Sequence, residues 1–156
     1  VNGAVDAAIR DLTVSGPGAG VMAYEGAALE VARVALLDNH TAGVVALGAS
    51  TTLEVNHVLI ARTHPVADGA LCMGVSVDLE AALTLTQSAL VENHDVGLGV
   101  QGDGATVIVD DVFITQTQPD IDGNDGQGVR AFDGSALTLT RSVLVDNRSQ
   151  GLFRGI

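Results

Sequence analysis

The sequence predicts an all-β protein whose chain winds as a solenoid of about six coils, with three short strands per coil. Three observations predict this fold: a repeat of 54 residues, short runs in which apolar and polar residues alternate, and glycines that end those runs. The segment 83–97 recurs as 137–151 and, more loosely, as 29–43. Because self-similarity at a fixed period is the signature of stacked repeats, the repeat is the strongest of the three.

The chain of 156 residues has the length of a single domain. The 54-residue unit occupies 29–82 and 83–136, and a partial unit occupies 137–156. Each full unit divides into one coil of 24 residues and one of 30. The chain begins with Val1 and stops inside a unit, so we interpret it as a segment of a longer protein.

The strands of each coil are named a, b and c in chain order. In the second unit, strand a is 83–85 (LTL), strand b is 88–90 (SAL), and strand c is 98–100 (LGV) after a glycine. Alternation with a period of two over such short runs is the strand signal. Three columns of apolar residues should therefore face the core: Val31, Val55, Leu85, Val109, Leu139; Val14, Leu36, Ile60, Leu90, Ile114, Leu144; and Val21, Val44, Val75, Leu98, Val129, Leu152.

The pattern LTLTxSxLVxN with a following glycine resembles the repeats of right-handed parallel β-helix proteins of the pectate-lyase-like superfamily. The resemblance covers nearly the whole chain and implies right-handed winding and an extracellular or cell-surface location. It also implies a range of functions, from polysaccharide lyases, hydrolases and epimerases to surface proteins without activity. It is specific for the fold and unspecific for the function.

The charge of the chain excludes several classes of partner. The net charge is −12, with seven arginines and no lysine, so the chain repels phosphate backbones and binding to nucleic acid is not expected. No apolar run of 18 residues exists, and we therefore predict no membrane insertion. The one cysteine, Cys72, cannot form an intrachain disulfide.

The longer coils carry insertions between strands b and c, at 62–73 and 116–127. The second insertion contains Asp120, Asp122, Asn124 and Asp125, whereas the first keeps only Asp68. Alternating oxygen side chains with nearby glycines suit Ca²⁺, which takes six to eight oxygen ligands. The alternative is a solvated turn, since Asp, Asn and Gly are the ordinary turn residues. No cofactor is required by either interpretation.

Arg130 follows the acidic insertion and is the candidate catalytic residue. The resemblance implies that a calcium-assisted lyase uses an arginine as its base; the alternative is that Arg130 balances the acidic insertion. The family's other catalytic motifs are absent. The sequence therefore favours a non-catalytic scaffold or binding face of a bacterial exported or surface protein, with a polysaccharide-active enzyme of lyase or epimerase type as the alternative.

Two polar columns follow strand b. Asn39, Thr63, Asn93, Thr117 and Asn147 should stack and bond to the turn backbone as a structural ladder. His40, His64 and His94 fall in register beside them, as ligands for a soft divalent ion or as repeated exposed turn residues.

The outward positions of strand b are apolar where polar residues are usual. They are Ala35, Leu37, Leu59, Ala61, Ala89, Val91, Phe113, Val143 and Val145. Either the long insertions fold over this face, or a neighbouring chain or domain covers it. The open coil ends also present unpaired strand groups, so the expected partners are a polysaccharide or another protein chain at one of these surfaces.

Overall fold

The computed structural model describes residues 1–2, 6–65 and 72–155, and the secondary structure in this part is entirely strand and connection. No helix in these residues is long and apolar enough to cross a membrane. The strands are β1 (Asp6–Ser15), β2 (Val21–Tyr24), β3 (Ala28–Leu37), β4 (Ala42–Leu47), β5 (Thr52–Asn56), β6 (Leu59–Ala61), β7 (Met73–Asp78), β8 (Ala82–Val91), β9 (Val96–Gln101), β10 (Thr106–Thr115), β11 (Gln127–Phe132), β12 (Ala136–Thr140), β13 (Val143–Val145) and β14 (Leu152–Arg154).

The strands form two parallel sheets, which confirms the predicted all-β class. The first sheet has the order β1-β3-β5-β8-β10-β12, with β6 and β13 beside the same neighbours, and the second has the order β2-β4-β7-β9-β11-β14. The chain therefore visits the two sheets alternately and adds its strands in sequence order. We call one strand segment of the first sheet, together with the following strand of the second, a pass.

Strands a and b differ from the prediction because they are usually continuous. They form one ten-residue strand in β1, β3, β8 and β10, and they separate only into β5 and β6 and into β12 and β13. The chain bends between them at one residue with left-handed backbone, such as Gln87 (φ 47°) or Asp111 (φ 56°). A single left-handed residue turns the strand without ending its pairing to the neighbouring strand.

The predicted core columns are confirmed in the central passes. Val55 pairs with Leu85 and Leu85 with Val109 in the first sheet, and all three side chains are buried. Leu152 is the exception, because its side chain is 54% exposed. It lies in β14, which pairs with β11 alone among the described strands, so one side of its side chain has no stacked neighbour.

Glycines at the second residue of strands in the second sheet allow the passes to stack closely. A Cβ atom on Gly74 would lie 2.4 Å from the carbonyl oxygen of Gly97, and one on Gly97 would lie 2.5 Å from that of Gly128. No side chain fits at such distances. The repeated glycine is therefore required by the approach of one backbone to the next.

Candidate functional site

A polar cluster lies beside strands β9 and β11 of the second sheet. It consists of Asp95, Asp125, Gln127 and Arg130, which we call the acid–arginine cluster. Arg130 Nη1 lies 3.5 Å from Asp125 Oδ1 and 4.0 Å from Asp95 Oδ1. The Arg130 guanidinium also lies over the Phe132 ring, 5.4 Å from the ring centroid, in a cation–π arrangement. The Arg130 guanidinium therefore lies beside two carboxyl groups and an aromatic ring at once.

Backbone hydrogen bonds fix Asp95 between the ends of the two long connections. The Asp95 carbonyl oxygen accepts from the N–H groups of Gly126 (2.8 Å) and Gln127 (3.0 Å), where the second connection ends. The Asp95 carboxylate accepts from the N–H of Cys72 (3.2 Å), which follows the first connection. Asp95 thus joins three successive passes, although its own pass has no insertion.

Burial dominates the electrostatics of Asp95. Its side chain is 1% exposed, and loss of hydration raises its pKa from 3.8 to about 6, against the opposing attraction of Arg130. The Asp125 carboxyl group raises the pKa further because it lies within hydrogen-bonding reach of the Asp95 carboxyl group. Two carboxyl groups this close are joined favourably only when one of them carries a proton.

Several buried atoms of the cluster make no hydrogen bond to the described residues. They are Asp95 Oδ1, Gln127 Oε1 and Arg130 Nε. Unpaired buried polar groups cost free energy and concentrate where a structure does more than pack. Three of the four buried side-chain atoms without a partner in the described residues therefore belong to this cluster.

Cys72 lies against the same cluster through its backbone. Burial raises the pKa of the Cys72 thiol, so the reactive thiolate is disfavoured at neutral pH. The thiol is consequently a packing group, and Cys72 contributes its N–H to Asp95 rather than a nucleophile.

The predicted calcium ligands are dispersed in the described connection. One carboxylate oxygen of Asp120 accepts from the N–H groups of Asp122 (3.0 Å) and Asn124 (2.7 Å), as in an Asx turn. Asp122 and Asn124 are exposed, while Asp125 faces Arg130. In the part of the chain that is described, no three His, Cys, Asp or Glu side chains are grouped for a metal ion. These contacts favour the turn interpretation, and the Ca²⁺ site stays a prediction.

The middle of the first connection, 66–71, includes Asp68 and lies outside the described residues.

Arg130 lies beside the acidic connection, as predicted, through its contact with Asp125. Its side chain is only 12% exposed and is enclosed by Asp95, Asp125 and Phe132. A base that removes a proton from a polymer must reach the polymer. The geometry favours the interpretation in which Arg130 balances the carboxyl groups.

The predicted ladder of Asn and Thr residues is confirmed from Thr63 to Asn147, whereas Asn39 Oδ1 is buried without a partner among the described residues. Asn93 Oδ1 accepts from the Thr63 N–H (3.2 Å), and Asn93 Nδ2 donates to the Ile60 carbonyl oxygen (3.0 Å). Asn147 Oδ1 likewise accepts from the Thr117 N–H (3.2 Å) and hydroxyl group (2.7 Å). The ladder satisfies buried backbone groups at the corner after strand b, and its role is structural.

The histidine column is also in register. The rings of His40 and His64 are 5.6 Å apart between centroids, and those of His64 and His94 are 5.9 Å apart. His94 Nδ1 donates to the Thr63 carbonyl oxygen (2.6 Å), and His64 Nε2 lies 3.5 Å from Asp38 Oδ1. Two of the rings thus have partners of their own, which favours repeated turn residues over a shared ion.

The apolar outer face of strand b is confirmed at most of its predicted positions, but Ala61 is buried (3% exposed), as is its equivalent Thr115 (7%). Both lie directly before the long connections, so the face is closed at these two positions. Leu59, Phe113, Val143 and Val145 are all exposed large hydrophobic residues, and Phe113 is 42% exposed. The described second connection, 116–126, therefore leaves Phe113 accessible. A surface of this kind is a docking candidate.

Sequence reasoning did not identify Asp95. In the repeat alignment Thr41 and Ser149 occupy its position, so the residue differs between units while its neighbours recur. The available signal was that Asp95 is acidic where the other units have small polar residues, two positions after the repeated Asn93. The signal was weak because Asp is also an ordinary turn residue.

Comparison with known proteins adds no candidate function to this geometry. No family model, curated protein or solved structure matched the chain.

Proposed function

We propose that the chain is a right-handed parallel β-helix of six coils that serves as a non-catalytic scaffold or binding face of an exported or surface protein. One observation carries the proposal. Both sheets keep strand order equal to chain order from their first strand to their last, so each pass stacks on the one before it. Stacked passes bury one continuous core and form a stiff body with long outer faces.

The right-handed winding rests on general chirality. Each pass leaves a strand, crosses the second sheet, and returns to pair in parallel with the strand it left. Connections between parallel strands of one sheet are right-handed in about 98% of cases, because twisted strands favour that return path. The resemblance to the pectate-lyase-like superfamily supports the same hand and an extracellular or cell-surface location.

The enclosure of the acid–arginine cluster supports the absence of catalysis. Incubation of the chain with a panel of polyuronides and neutral polysaccharides, with and without Ca²⁺, should give neither unsaturated-uronate absorbance nor new reducing ends. Turnover of any substrate that is lost in Arg130→Lys would contradict the proposal. The exposed Arg154 provides a matched control, because Arg154→Lys should leave any turnover by the chain unchanged.

A polysaccharide-active enzyme of lyase or epimerase type is the second candidate. The specific observation in its favour is Asp95, since a carboxyl group with a pKa of about 6 is suited to proton transfer near neutral pH. An open cavity of about 350 Å³ also lies on the outer face of the second sheet, beside Met73 and Ser76. This candidate predicts turnover with a pH profile that Asp95→Asn abolishes.

Calcium belongs to that second candidate. If Asp120, Asp122, Asn124 and Asp125 bind Ca²⁺, the melting temperature rises with added Ca²⁺ because the ion binds the folded state alone. The rise should disappear in Asp122→Ala. An unchanged melting temperature would remove the site and leave the Asx turn as the role of this connection.

A further inference from the structure

The outer face of strand b forms an apolar stripe, which we define by its two columns of paired residues. Ala61 and Thr115 of the second column are buried, so the first column is the more accessible of the two. The first column is Thr13, Ala35, Leu59, Ala89, Phe113 and Val143; the second is Ser15, Leu37, Ala61, Val91, Thr115 and Val145. Strand pairing fixes these residues in register across all six passes. The stripe is independent of the proposed function, because it would exist in an enzyme and in a scaffold alike.

Two columns of polar residues border the stripe. The bend column lies before strand b and contains Asp11, Arg33, His57, Gln87, Asp111 and Arg141; the corner column lies after strand b and contains Gly16, Asp38, Arg62, Glu92, Gln116 and Asp146. Apart from Gly16, each of these residues has a left-handed backbone. The charges therefore stand at fixed heights along both borders of the apolar surface.

We propose that a second copy of this chain covers the stripe face to face, with the two stacks running in opposite directions. A twofold axis along the strand direction places the first pass against the sixth, the second against the fifth, and the third against the fourth. In the bend column, Asp11 then faces Arg141 and Arg33 faces Asp111. Each charged residue of this border meets the opposite charge of the other copy. Within one chain Arg33 already pairs with Asp11, and Arg141 pairs with Asp110, so the contact between copies would extend these ion pairs.

The corner column is compatible with the same arrangement. Arg62 of the third pass faces Glu92 of the fourth, and Asp38 of the second faces the neutral Gln116 of the fifth. No pair of like charges results on either border.

If the stacks ran in the same direction, each bend residue would face the corner residue of its own pass. Arg33 would then face Asp38 and Arg141 would face Asp146, but Arg62 and Glu92 would face His57 and Gln87. That arrangement gives two kinds of opposite-charge pair, whereas the opposed arrangement gives three.

Side-chain sizes are complementary in the opposed arrangement. Phe113 faces Ala35 of the other copy, and Leu59 faces Ala89. Large residues therefore meet small ones at the same height, which lets two sheets pack at about 10 Å without large voids.

The size of the stripe sets the expected affinity. Five strand spacings give a length of about 24 Å, and six residues across stripe and borders give a width of about 20 Å. The contact then buries about 500 Å² per copy, or about 1,000 Å² in total, which is near the lower limit for a specific interface. The dimer should therefore be weak and should form in the micromolar range.

Sedimentation equilibrium of the chain tests the proposal. The mass should rise with concentration from 15.8 kDa towards twice that value. Phe113→Ser should weaken association at least about tenfold, because it removes an aromatic contact from the centre of the interface. Ile108→Ser is the matched control: Ile108 lies on the same strand, β10, is 51% exposed and lies outside the stripe, so association should not change.

A charge exchange tests the direction of the stacks. Arg62→Glu places Glu against Glu92 at two symmetric positions and should weaken the dimer, whereas Arg62→Glu combined with Glu92→Arg should restore it. Both variants lose the intrachain pairing of Arg62 with Asp38, and position 62 also lies beside position 92 of the adjacent pass in the same chain. Urea denaturation at a concentration where the chain is monomeric measures these intrachain effects, so that the loss and recovery of association can be compared with them. Circular dichroism should show that all variants fold.

Three results would overturn the proposal. A monomer mass at every concentration would leave the stripe to another partner. Equal effects of Ile108→Ser and Phe113→Ser would place the interface elsewhere. Failure of the double exchange to restore association would contradict the opposed arrangement.

Discussion

Asn93 and Asp95 are two residues apart in one corner, and each is 1% exposed, yet the chain treats them differently. Asn93 accepts from the Thr63 N–H and donates to the Ile60 carbonyl oxygen. Asp95 receives one backbone hydrogen bond on its carboxylate, and its Oδ1 has none from the described residues. The difference follows from repetition, because Asn93 has equivalents in neighbouring passes and Asp95 has none.

Asn93 and Asn147 make the same hydrogen bonds to the corner of the preceding pass, so the stack provides them. Asn39, in the second pass, is the exception, because its Oδ1 has no partner among the described residues. An acidic residue that occurs in one pass must be accommodated by that pass and its two neighbours. Here Arg130 of β11 lies beside the Asp95 carboxylate, and backbone N–H groups at the ends of the two long connections donate hydrogen bonds to Asp95. The stack therefore explains Asn93, and the interruptions of the stack explain Asp95.

The largest effect should come from removing the repeated group. Asn93→Ala leaves the Thr63 N–H and the Ile60 carbonyl oxygen buried without this partner, and each unsatisfied group costs roughly 1–3 kcal/mol. We expect a loss of roughly 4 kcal/mol in the free energy of unfolding, measured by urea denaturation. Asn124→Ala is the control, since Asn124 is exposed and should change stability little. Similar losses of unfolding free energy in both variants would show that Asn93 contributes no more than an exposed asparagine.

The next effect concerns the pH dependence of stability. The folded state raises the pKa of Asp95 from 3.8 to about 6, chiefly through burial. Between these values the unfolded chain has lost the proton that the folded chain keeps, so the contribution of Asp95 to stability falls as pH rises. The difference of about two units corresponds to roughly 3 kcal/mol, lost by pH 7 and present at pH 3.

Asp95→Asn should remove this dependence. The amide oxygen can still accept from the Cys72 N–H, and the neutral side chain carries no ionisation cost. Unfolding measured from pH 3 to pH 8 should show the variant gaining on the parent chain as pH rises through 4 to 6. Asp11 and Asp38, whose pKa values are lowered by Arg33 and Arg62, titrate in both proteins and cancel from the difference. A constant difference across this range would show that Asp95 is ionised normally in the fold.

A smaller effect separates two acids of the second connection. Asp120 caps the turn through two backbone N–H groups, whereas Asp122 is exposed. Without Ca²⁺, Asp120→Ala should cost about 1 kcal/mol and Asp122→Ala close to nothing. Thermal denaturation of both variants provides the check. A larger loss in Asp122→Ala would show that this side chain has a role beyond the turn.

The sequence was informative wherever a residue recurs. The apolar columns through Leu85 and Val109, the ladder through Asn93, and the exposed stripe through Phe113 all follow from equivalent positions in the repeat. Periodicity places a residue inside or outside, and stacking places it beside its equivalents. These inferences required no knowledge of how the corners are shaped.

Features without a repeated residue type could not be predicted in this way. The continuity of strands a and b depends on a left-handed bend at Gln87 or Asp111, residues with no strong preference that would have marked it. The cluster around Asp95 depends on the path of two connections of irregular sequence, and this path determines that Asp125 meets Arg130 while Asp122 faces solvent. The bend recurs in position but not in residue type, and the connections have no repeated pattern, so neither feature has a sequence signal.

The most direct test of the contrast between Asn93 and Asp95 is the titration of the Asp95 side-chain carboxyl group, followed by carbon NMR in the intact chain. A buried, unrepeated acid between Arg130 and Asp125 should give an apparent pKa of about 6, and Asp125→Asn should lower it by removing one neighbouring acid. An apparent pKa at or below 3.8 in the parent chain would contradict the account, because it would mean that Asp95 is as well accommodated as the repeated Asn93.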